Sequence, residues 1–197
     1  PIYPHVPVDV RLEAFNPLIP GDSEASGIPV AILRYVLYNR SKQSVAATIC
    51  ASMKNLIGFD GREGKSQGNV NTFREGAKVR GLFFFSEGVD PSAMQYGTMA
   101  LTTTHVPVSV KRYWDPERRK GLLHLWDDLA EDGHLVDEEH PGIAQPRGSL
   151  AAHLDLPPKG KGQVVFFLTW HFPNRQTWTP AKVEAGEENN GGKCCCS

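Results

Sequence analysis

The stretch Ile28–Asn39, IPVAILRYVLYN, is apolar at most positions and has Arg34 as its one charged residue. A continuous apolar run of this kind is typical of an inner strand covered on both faces of a sheet. The preceding stretch Val6–Phe15, VPVDVRLEAF, alternates apolar with polar side chains. This alternation has the period of a strand with one face on the core and the other in water. The two stretches together predict a half-buried strand followed by an inner strand.

Six further stretches have the composition of strands. Ser44–Met53 follows the inner strand after the polar segment 39–43, so we expect the two to form a hairpin. Gly, Pro or Asp turns divide most of the eight candidate strands, and this spacing favours an all-β antiparallel β-sandwich over alternating strands and helices. The other candidates are KVRGLFFFS (78–86), GTMALTTT (97–104), VPVSVKRYW (106–114), GSLAAHLDL (148–156) and GQVVFFLTW (162–170).

One segment, 121–133, has the period of a helix instead. Its apolar residues Leu122, Leu125, Trp126 and Leu129 recur at spacings of three and four, which predicts one short amphipathic helix that covers the sandwich core with these four side chains.

Two other segments do not have the pattern of core strands. The segment 59–77 is rich in Gly and polar residues and is predicted to be a long loop, mobile or functional. We expect one β-sandwich domain over 1–180 and a disordered or aberrant tail over 181–197, since the tail has almost nothing apolar to bury.

Composition excludes several classes of partner. The chain has 197 residues and a formal net charge of -1, so it has no field that would recruit nucleic acid or an anionic membrane. No apolar run is long enough for a transmembrane helix, and the first residues lack the pattern of a secretory signal, which indicates a cytoplasmic protein. Cys50 is expected to be a buried thiol, and the adjacent Cys194, Cys195 and Cys196 have no second cluster with which to form a metal site. We expect neither a metal nor another cofactor.

The sequence offers no clear catalytic group. It contains no G-x-S-x-G element for a serine hydrolase, and Gly61 and Gly64 are too close together for a phosphate-binding loop. Acidic residues at 127, 128, 131, 132 and 137–139 could supply the paired carboxylates of glycoside chemistry, but such residues are more often the solvated face of a helix. We therefore assign no catalytic residue.

The best candidate site follows the last predicted strand. Here WHFPNRQTW, residues 170–178, places aromatic, donor and cationic groups around Pro173, which would end sheet pairing because proline lacks an N–H. Such a set suits sugar stacking or packing against another domain, and the domain interface is the favoured interpretation. The candidate residues are Trp170, His171, Phe172, Asn174, Arg175 and Trp178.

Four separated motifs resemble those of glycoside hydrolase family 116, the β-glucosidases and non-lysosomal glucosylceramidases. WHFPNRQTW is similar to the segment that closes the family's N-terminal domain, and EAFNPLIPGDSEASGIPVAILRYVLYN (13–39) is similar to its early motif. GVDPSAMQYGTMAL (88–101) and LLHLWDDLAEDGHL (122–135) resemble its middle segments. The resemblance covers roughly residues 7–180 in order.

The resemblance implies an N-terminal β-sandwich that packs on a C-terminal (α/α)6 catalytic barrel of the same parent chain. That barrel would carry the catalytic carboxylates and hydrolyse a β-glucoside or glucosylceramide. One 13-residue helical stretch cannot build it, so we expect a fragment or a frameshifted product whose residues 170–178 would face the barrel. The alternative is a free-standing carbohydrate-binding sandwich that uses Trp170, Trp178 and the loop 59–77.

Overall fold

The computed structural model describes residues 6–114, 118–138 and 146–176. Within these ranges the chain forms nine strands and two helices. The strands are β1 (Val8–Phe15), β2 (Val30–Asn39), β3 (Val45–Lys54), β4 (Asn69–Glu75), β5 (Arg80–Ser86), β6 (Thr98–Thr103), β7 (Val108–Lys111), β8 (Arg147–Leu156) and β9 (Lys161–His171), and the helices are α1 (Ser23–Ser26) and α2 (Arg118–Glu131).

Two antiparallel sheets of unequal width form a β-sandwich, which confirms the predicted fold class. The larger sheet has six strands in the order β1-β2-β9-β6-β5-β4, and the smaller has three in the order β3-β8-β7. The core lies between the sheets and includes Leu37, Phe84, Leu101, Leu150 and Phe166. The edge of the Tyr35 ring meets the Phe166 ring with centroids 6.2 Å apart, as aromatic pairs prefer.

The predicted hairpin between Ile28–Asn39 and Ser44–Met53 is wrong. Strand β2 pairs with β1 and β9 in the larger sheet, whereas β3 crosses to the smaller sheet and pairs with β8. Asn39 explains the crossing, because its amide nitrogen donates to the carbonyl oxygens of Gln43, Leu156 and Pro157. The turn is thus tied to the end of β8 and directs the chain into the other sheet.

The predicted burial of the first two strands is only partly correct. Of the alternating apolar residues of β1, Val8 packs against the core, but Val10 and Leu12 are 55% and 51% exposed. Strand β1 is an edge strand of the six-stranded sheet, and the three-stranded sheet is too narrow to cover all of it. Strand β2 is an inner strand, as predicted, but only its face toward the smaller sheet lies in the core.

The predicted loop 59–77 contains a strand. Strand β4 pairs with β5 from Asn69↔Ser86 to Glu75↔Arg80 and forms an edge of the larger sheet. Its inward positions near the start are Asn69 and Asn71 instead of apolar residues, and both are buried. The Asn71 amide nitrogen donates to the Arg112 carbonyl oxygen at 2.7 Å. These side chains satisfy buried backbone groups, which explains why hydrophobic periodicity gives no sign of the strand.

The predicted helix is present as α2, but its buried stripe is narrower than expected. Leu125 is buried in a cluster with Leu135 and Ala151, and Leu129 packs against this cluster, whereas Trp126 is 68% exposed. Leu122 is exposed too, so the expectation that all four residues cover the core is wrong. The Asp128 carboxylate accepts a hydrogen bond from the buried Lys111 ammonium at 3.0 Å. This contact turns the buried stripe toward Asp128 and Leu125 and leaves Trp126 in solvent.

Candidate functional site

A pocket opens where β9 ends, at the sequence-predicted site. Its volume is about 320 Å³. Trp170, Phe172 and Arg175 come from the end of β9 and the turn after it, and the facing wall comes from the β3–β4 connection and the segment before β6. The lining residues are Lys54, Leu56, Phe59, Asp60, Gly61, Gln95, Met99, Trp170, Phe172 and Arg175.

Strand alternation places Trp170 in the pocket. Phe166 and Leu168 face the core, and Trp170 is the next residue of β9 on the same face. It pairs with Met99 of β6, which contacts the core and lines the pocket. Trp170 is 42% exposed, because the core ends at this edge of the sandwich. Its indole is therefore held by the sheet and partly open to solvent.

Phe172 packs close to the backbone because residue 97 is glycine. A Cβ added to Gly97 would lie 2.6 Å from Phe172 Cδ1 and would also clash with the His171 carbonyl oxygen. Asn174 closes the same turn by donating from its amide nitrogen to the carbonyl oxygens of Pro91 and Ala93, at 2.6 and 3.1 Å. The turn after β9 is thereby fixed to the segment that carries Gln95.

Hydrogen bonds from buried asparagines fix the start of the β3–β4 connection. The Asn55 amide nitrogen donates to the Val70 and Phe85 carbonyl oxygens, and its oxygen accepts from the Ile57 backbone N–H at 3.2 Å. Asn69 donates to Asn55 Oδ1 and to the Ile57 carbonyl oxygen, both at 3.0 Å. Because these groups are buried and hydrogen-bonded, the backbone around Leu56 has little freedom.

Asp60 is the one carboxylate among the pocket's lining residues. Its Oδ1 accepts hydrogen bonds from the backbone N–H groups of Arg62 and Glu63, both at 2.9 Å. These bonds, with a smaller contribution from the Gln95 side chain and the charge of Arg175, lower the pKa of Asp60. The group is thus an ionised acceptor at neutral pH and is poorly suited to donate a proton.

The structure brings together three of the six predicted site residues, Trp170, Phe172 and Arg175. His171 is exposed on the opposite face of β9, and Asn174 supports the turn without lining the pocket. Trp178 lies outside the described residues. Sequence reasoning did not assign Lys54, Gln95 and Met99, which lie far from residues 170–178 in sequence. For Phe59 and Asp60, the signal was the prediction that loop 59–77 is mobile or functional.

Two of the acidic residues that could have supplied paired carboxylates form ion pairs instead. Asp128 pairs with Lys111. The Asp137 carboxylate accepts hydrogen bonds from the Arg112 backbone N–H at 2.7 Å and from Arg112 Nε at 2.6 Å. Neither belongs to the pocket. Among the described residues no group of three or more His, Cys, Asp or Glu side chains is placed to hold a metal ion.

Comparison with known families gives one match over most of the chain. Residues 3–184 match the family described as "beta-glucosidase 2, glycosyl-hydrolase family 116 N-term". The chain belongs to this family of N-terminal domains. Membership implies a parent chain that also carries a catalytic domain.

A solved structure described as "Putative kojibiose phosphorylase from human microbiome" matches with a TM-score of 0.39 and 8% sequence identity. The match covers 86% of this chain and 17% of the phosphorylase chain. In the part of the chain that the structure describes, no helix is long and apolar enough to cross a membrane.

Proposed function

We propose that this chain is the non-catalytic N-terminal domain of a glycoside hydrolase that hydrolyses β-glucosides or glucosylceramide through a C-terminal catalytic domain of the same parent. The observation that carries the proposal is the match of residues 3–184 to a family of N-terminal domains named after a β-glucosidase. Domain boundaries at 180, and the cytoplasmic location, stay predictions from the sequence.

The chemistry of the pocket supports a non-catalytic role. Hydrolysis of a glycosidic bond ordinarily needs two carboxyl groups on either side of it, separated by roughly 5 to 10 Å. The pocket has one carboxylate, Asp60, and hydrogen bonds lower its pKa away from the range of a general acid. A second domain must then supply the acid and the nucleophile or base.

The end of β9 is the surface that we assign to the catalytic domain. Trp170, Phe172 and Arg175 present aromatic and cationic groups at the end of the sandwich where β9 finishes. Aromatic residues and arginine are enriched at domain interfaces and also line sugar clefts. In the parent, this edge would form one wall of the substrate cleft, with the catalytic carboxylates opposite.

The test is the activity of two proteins made from the same gene. We expect the isolated chain to leave an aryl β-glucoside intact, and the full-length parent, obtained by sequencing the locus beyond residue 197, to hydrolyse it. Turnover by the isolated chain that is lost on a single Asp or Glu substitution within it would contradict the non-catalytic assignment. A parent that is inactive on aryl β-glucosides and on glucosylceramide would contradict the assigned substrate class.

The second candidate is a free-standing carbohydrate-binding module. It is favoured by one observation: Phe59 and Asp60, from the loop proposed for sugar contact, line the same pocket as Trp170. A stop codon directly after this chain in a well-expressed gene would support this candidate. An in-frame continuation with alternating amphipathic helices would support the N-terminal domain.

A further inference from the structure

The pocket at the end of β9 has the composition of a site for an uncharged sugar ring. Phe59, Trp170 and Phe172 supply aromatic surface, on which the C–H face of a pyranose can stack. Four polar side chains lie among them: Lys54, Asp60, Gln95 and Arg175. A few convergent polar groups in a largely apolar cavity are typical of small-molecule sites, and the volume is near the lower end of their range of about 300–1,000 Å³.

The walls of the pocket are fixed before any ligand arrives. Asp60 is oriented by two backbone N–H groups, and the Gly58 N–H donates to the Gln95 carbonyl oxygen at 3.0 Å. Gly58 has a φ of +87°, and an added Cβ would lie 2.6 Å from Val89 Cγ2. This contact between the two walls therefore depends on glycine. Preformed walls reduce the ordering cost of binding.

The pocket combines one carboxylate with two cationic side chains, so it offers both hydrogen-bond acceptors and donors to a polyol. The ionised Asp60 is an acceptor that sugar hydroxyls can donate to. Lys54, Arg175 and the Gln95 amide can donate to ring and hydroxyl oxygens. Because the attraction of Arg175 contributes to the lowered pKa of Asp60, part of the positive potential is already compensated within the site.

We propose that this pocket binds one glucopyranosyl ring of a β-glucoside, with the ring stacked on Trp170 and its hydroxyl groups bonded to Asp60 and to the donors around it. The choice of glucose rests on the proposed function, whereas the binding of a neutral pyranose rests on the pocket itself. The site is a subsite on the non-catalytic domain, and it takes part in binding the sugar without a bond being broken there.

The experiment titrates the isolated 197-residue chain with methyl β-glucoside and with cello-oligosaccharides. Binding is followed by calorimetry and by shifts of the tryptophan indole N–H signals in NMR spectra. We expect saturable binding that Trp170→Ala weakens by roughly tenfold or more, because the stacking surface is lost. We expect Asp60→Asn, which keeps the shape of the side chain, to weaken it by about fivefold because a charged acceptor is lost.

The matched control is Trp126→Ala, which removes an exposed tryptophan on α2 and should leave affinity unchanged. Methyl α-mannoside and glucose 6-phosphate test the ligand class, and neither should bind more tightly than the β-glucoside. NMR spectra of each variant establish that it is folded. Where Trp170→Ala does not fold, Lys54→Met and Asp60→Asn carry the test.

Four results would overturn the inference: no saturable binding of any glucoside, equal loss in the Trp126 control, unchanged affinity in the folded pocket variants, or tighter binding of the phosphorylated sugar. Failure here is distinguishable from failure of the proposed function. If the parent hydrolyses β-glucosides and the isolated chain binds none, the subsite inference is wrong and the proposed function stands. An isolated chain that binds glucosides beside a parent inactive on them removes the assigned activity and keeps the sugar site.

Discussion

The Lys111 ammonium is a buried charge whose partners lie in α2 and in the segment that follows it. Its Nζ donates to Asp128 Oδ2 at 3.0 Å and to the Val136 carbonyl oxygen at 2.9 Å. The carboxylate also accepts from the Val136 N–H at 3.3 Å. A cation that is almost fully buried is tolerated only with such compensation, so these bonds attach α2 and the chain after it to β7.

Removal of the carboxylate should therefore be costly. We expect Asp128→Ala to lower the free energy of unfolding by about 3 kcal/mol, because it leaves an uncompensated buried ammonium group. Lys111→Met, which removes the cation and keeps an apolar stem, should cost less than Asp128→Ala. Urea unfolding followed by circular dichroism measures both changes. Equal losses in the two variants would show that the buried charge is not the cause.

His153 is expected to make stability depend on pH. Its ring bonds to Thr48 Oγ1 and Ser109 Oγ and stacks on His134 with centroids 4.1 Å apart. Desolvation, then the charges of His134 and His105, lower the pKa of His153, and Asp132 opposes them. The unfolded chain, in which histidine titrates near 6.5, therefore takes up this proton first as the pH falls.

Stability linked to His153 is thus complete above about pH 6.5 and decreases as the pH falls below it through the folded-state pKa. We expect the melting temperature to fall between pH 7.5 and 5.5, and His153→Gln to reduce that fall. His171→Gln, which changes an exposed histidine on the larger sheet, is the control. The same pH dependence in wild type and His153→Gln would contradict the assignment.

At the scale of elements, α2 shows how one ion pair decides which face of a helix is buried. Leu125 lies in a small cluster with Leu135 and Ala151, whereas Trp126 stands largely in solvent. We expect Leu125→Ala to cost about 2–4 kcal/mol, in the usual range for a buried leucine. Trp126→Ala should cost less than about 1 kcal/mol, as a surface change. Urea unfolding of both variants tests the orientation, and the reverse order of losses would refute it.

The strands were largely predictable, because each of eight apolar or alternating stretches overlaps a strand of the structure. Their pairing was not, since periodicity records which face is buried and not which strand lies beside it. The hairpin error at Asn39 and the missed strand β4 have one cause. In both places asparagine side chains supply hydrogen bonds within the fold, and such positions are indistinguishable in sequence from those of a polar turn.

The candidate site was half predictable for a related reason. Trp170, Phe172 and Arg175 adjoin the last strand, so aromatic and cationic composition identified them locally. Lys54 and Gln95 join them through strand order, because β9 pairs with β6 while the β3–β4 connection is bonded to the segment before β6. No local pattern contains that information.

At the scale of the whole molecule, the two sheets differ in how their outer faces are covered. Leu125 and Leu129 of α2 pack against the outer side of the smaller sheet. On the larger sheet, the stacked strands β3 and β8 lie on the inner face. The outer face of β2, β9 and β5 carries apolar side chains that are partly exposed. They are Ile32, Val36, Phe83, Phe85, Val165 and Phe167.

This face, rather than the end of β9 alone, should govern how the isolated chain behaves in solution. Contiguous apolar surface beyond a few hundred Å², roughly the largest patch of ordinary monomers, promotes association. Ile32 and Phe167 are register partners on this face. We expect the wild-type chain to self-associate with rising concentration. The double variant Ile32→Thr/Phe167→Thr, which places β-branched threonine at both strand positions, should shift it toward monomer. Sedimentation velocity measures the shift, with Trp126→Ser as the control for loss of an exposed aromatic residue elsewhere. Association that persists in the double variant but disappears on Trp170→Ser would place the sticky surface at the end of β9 instead.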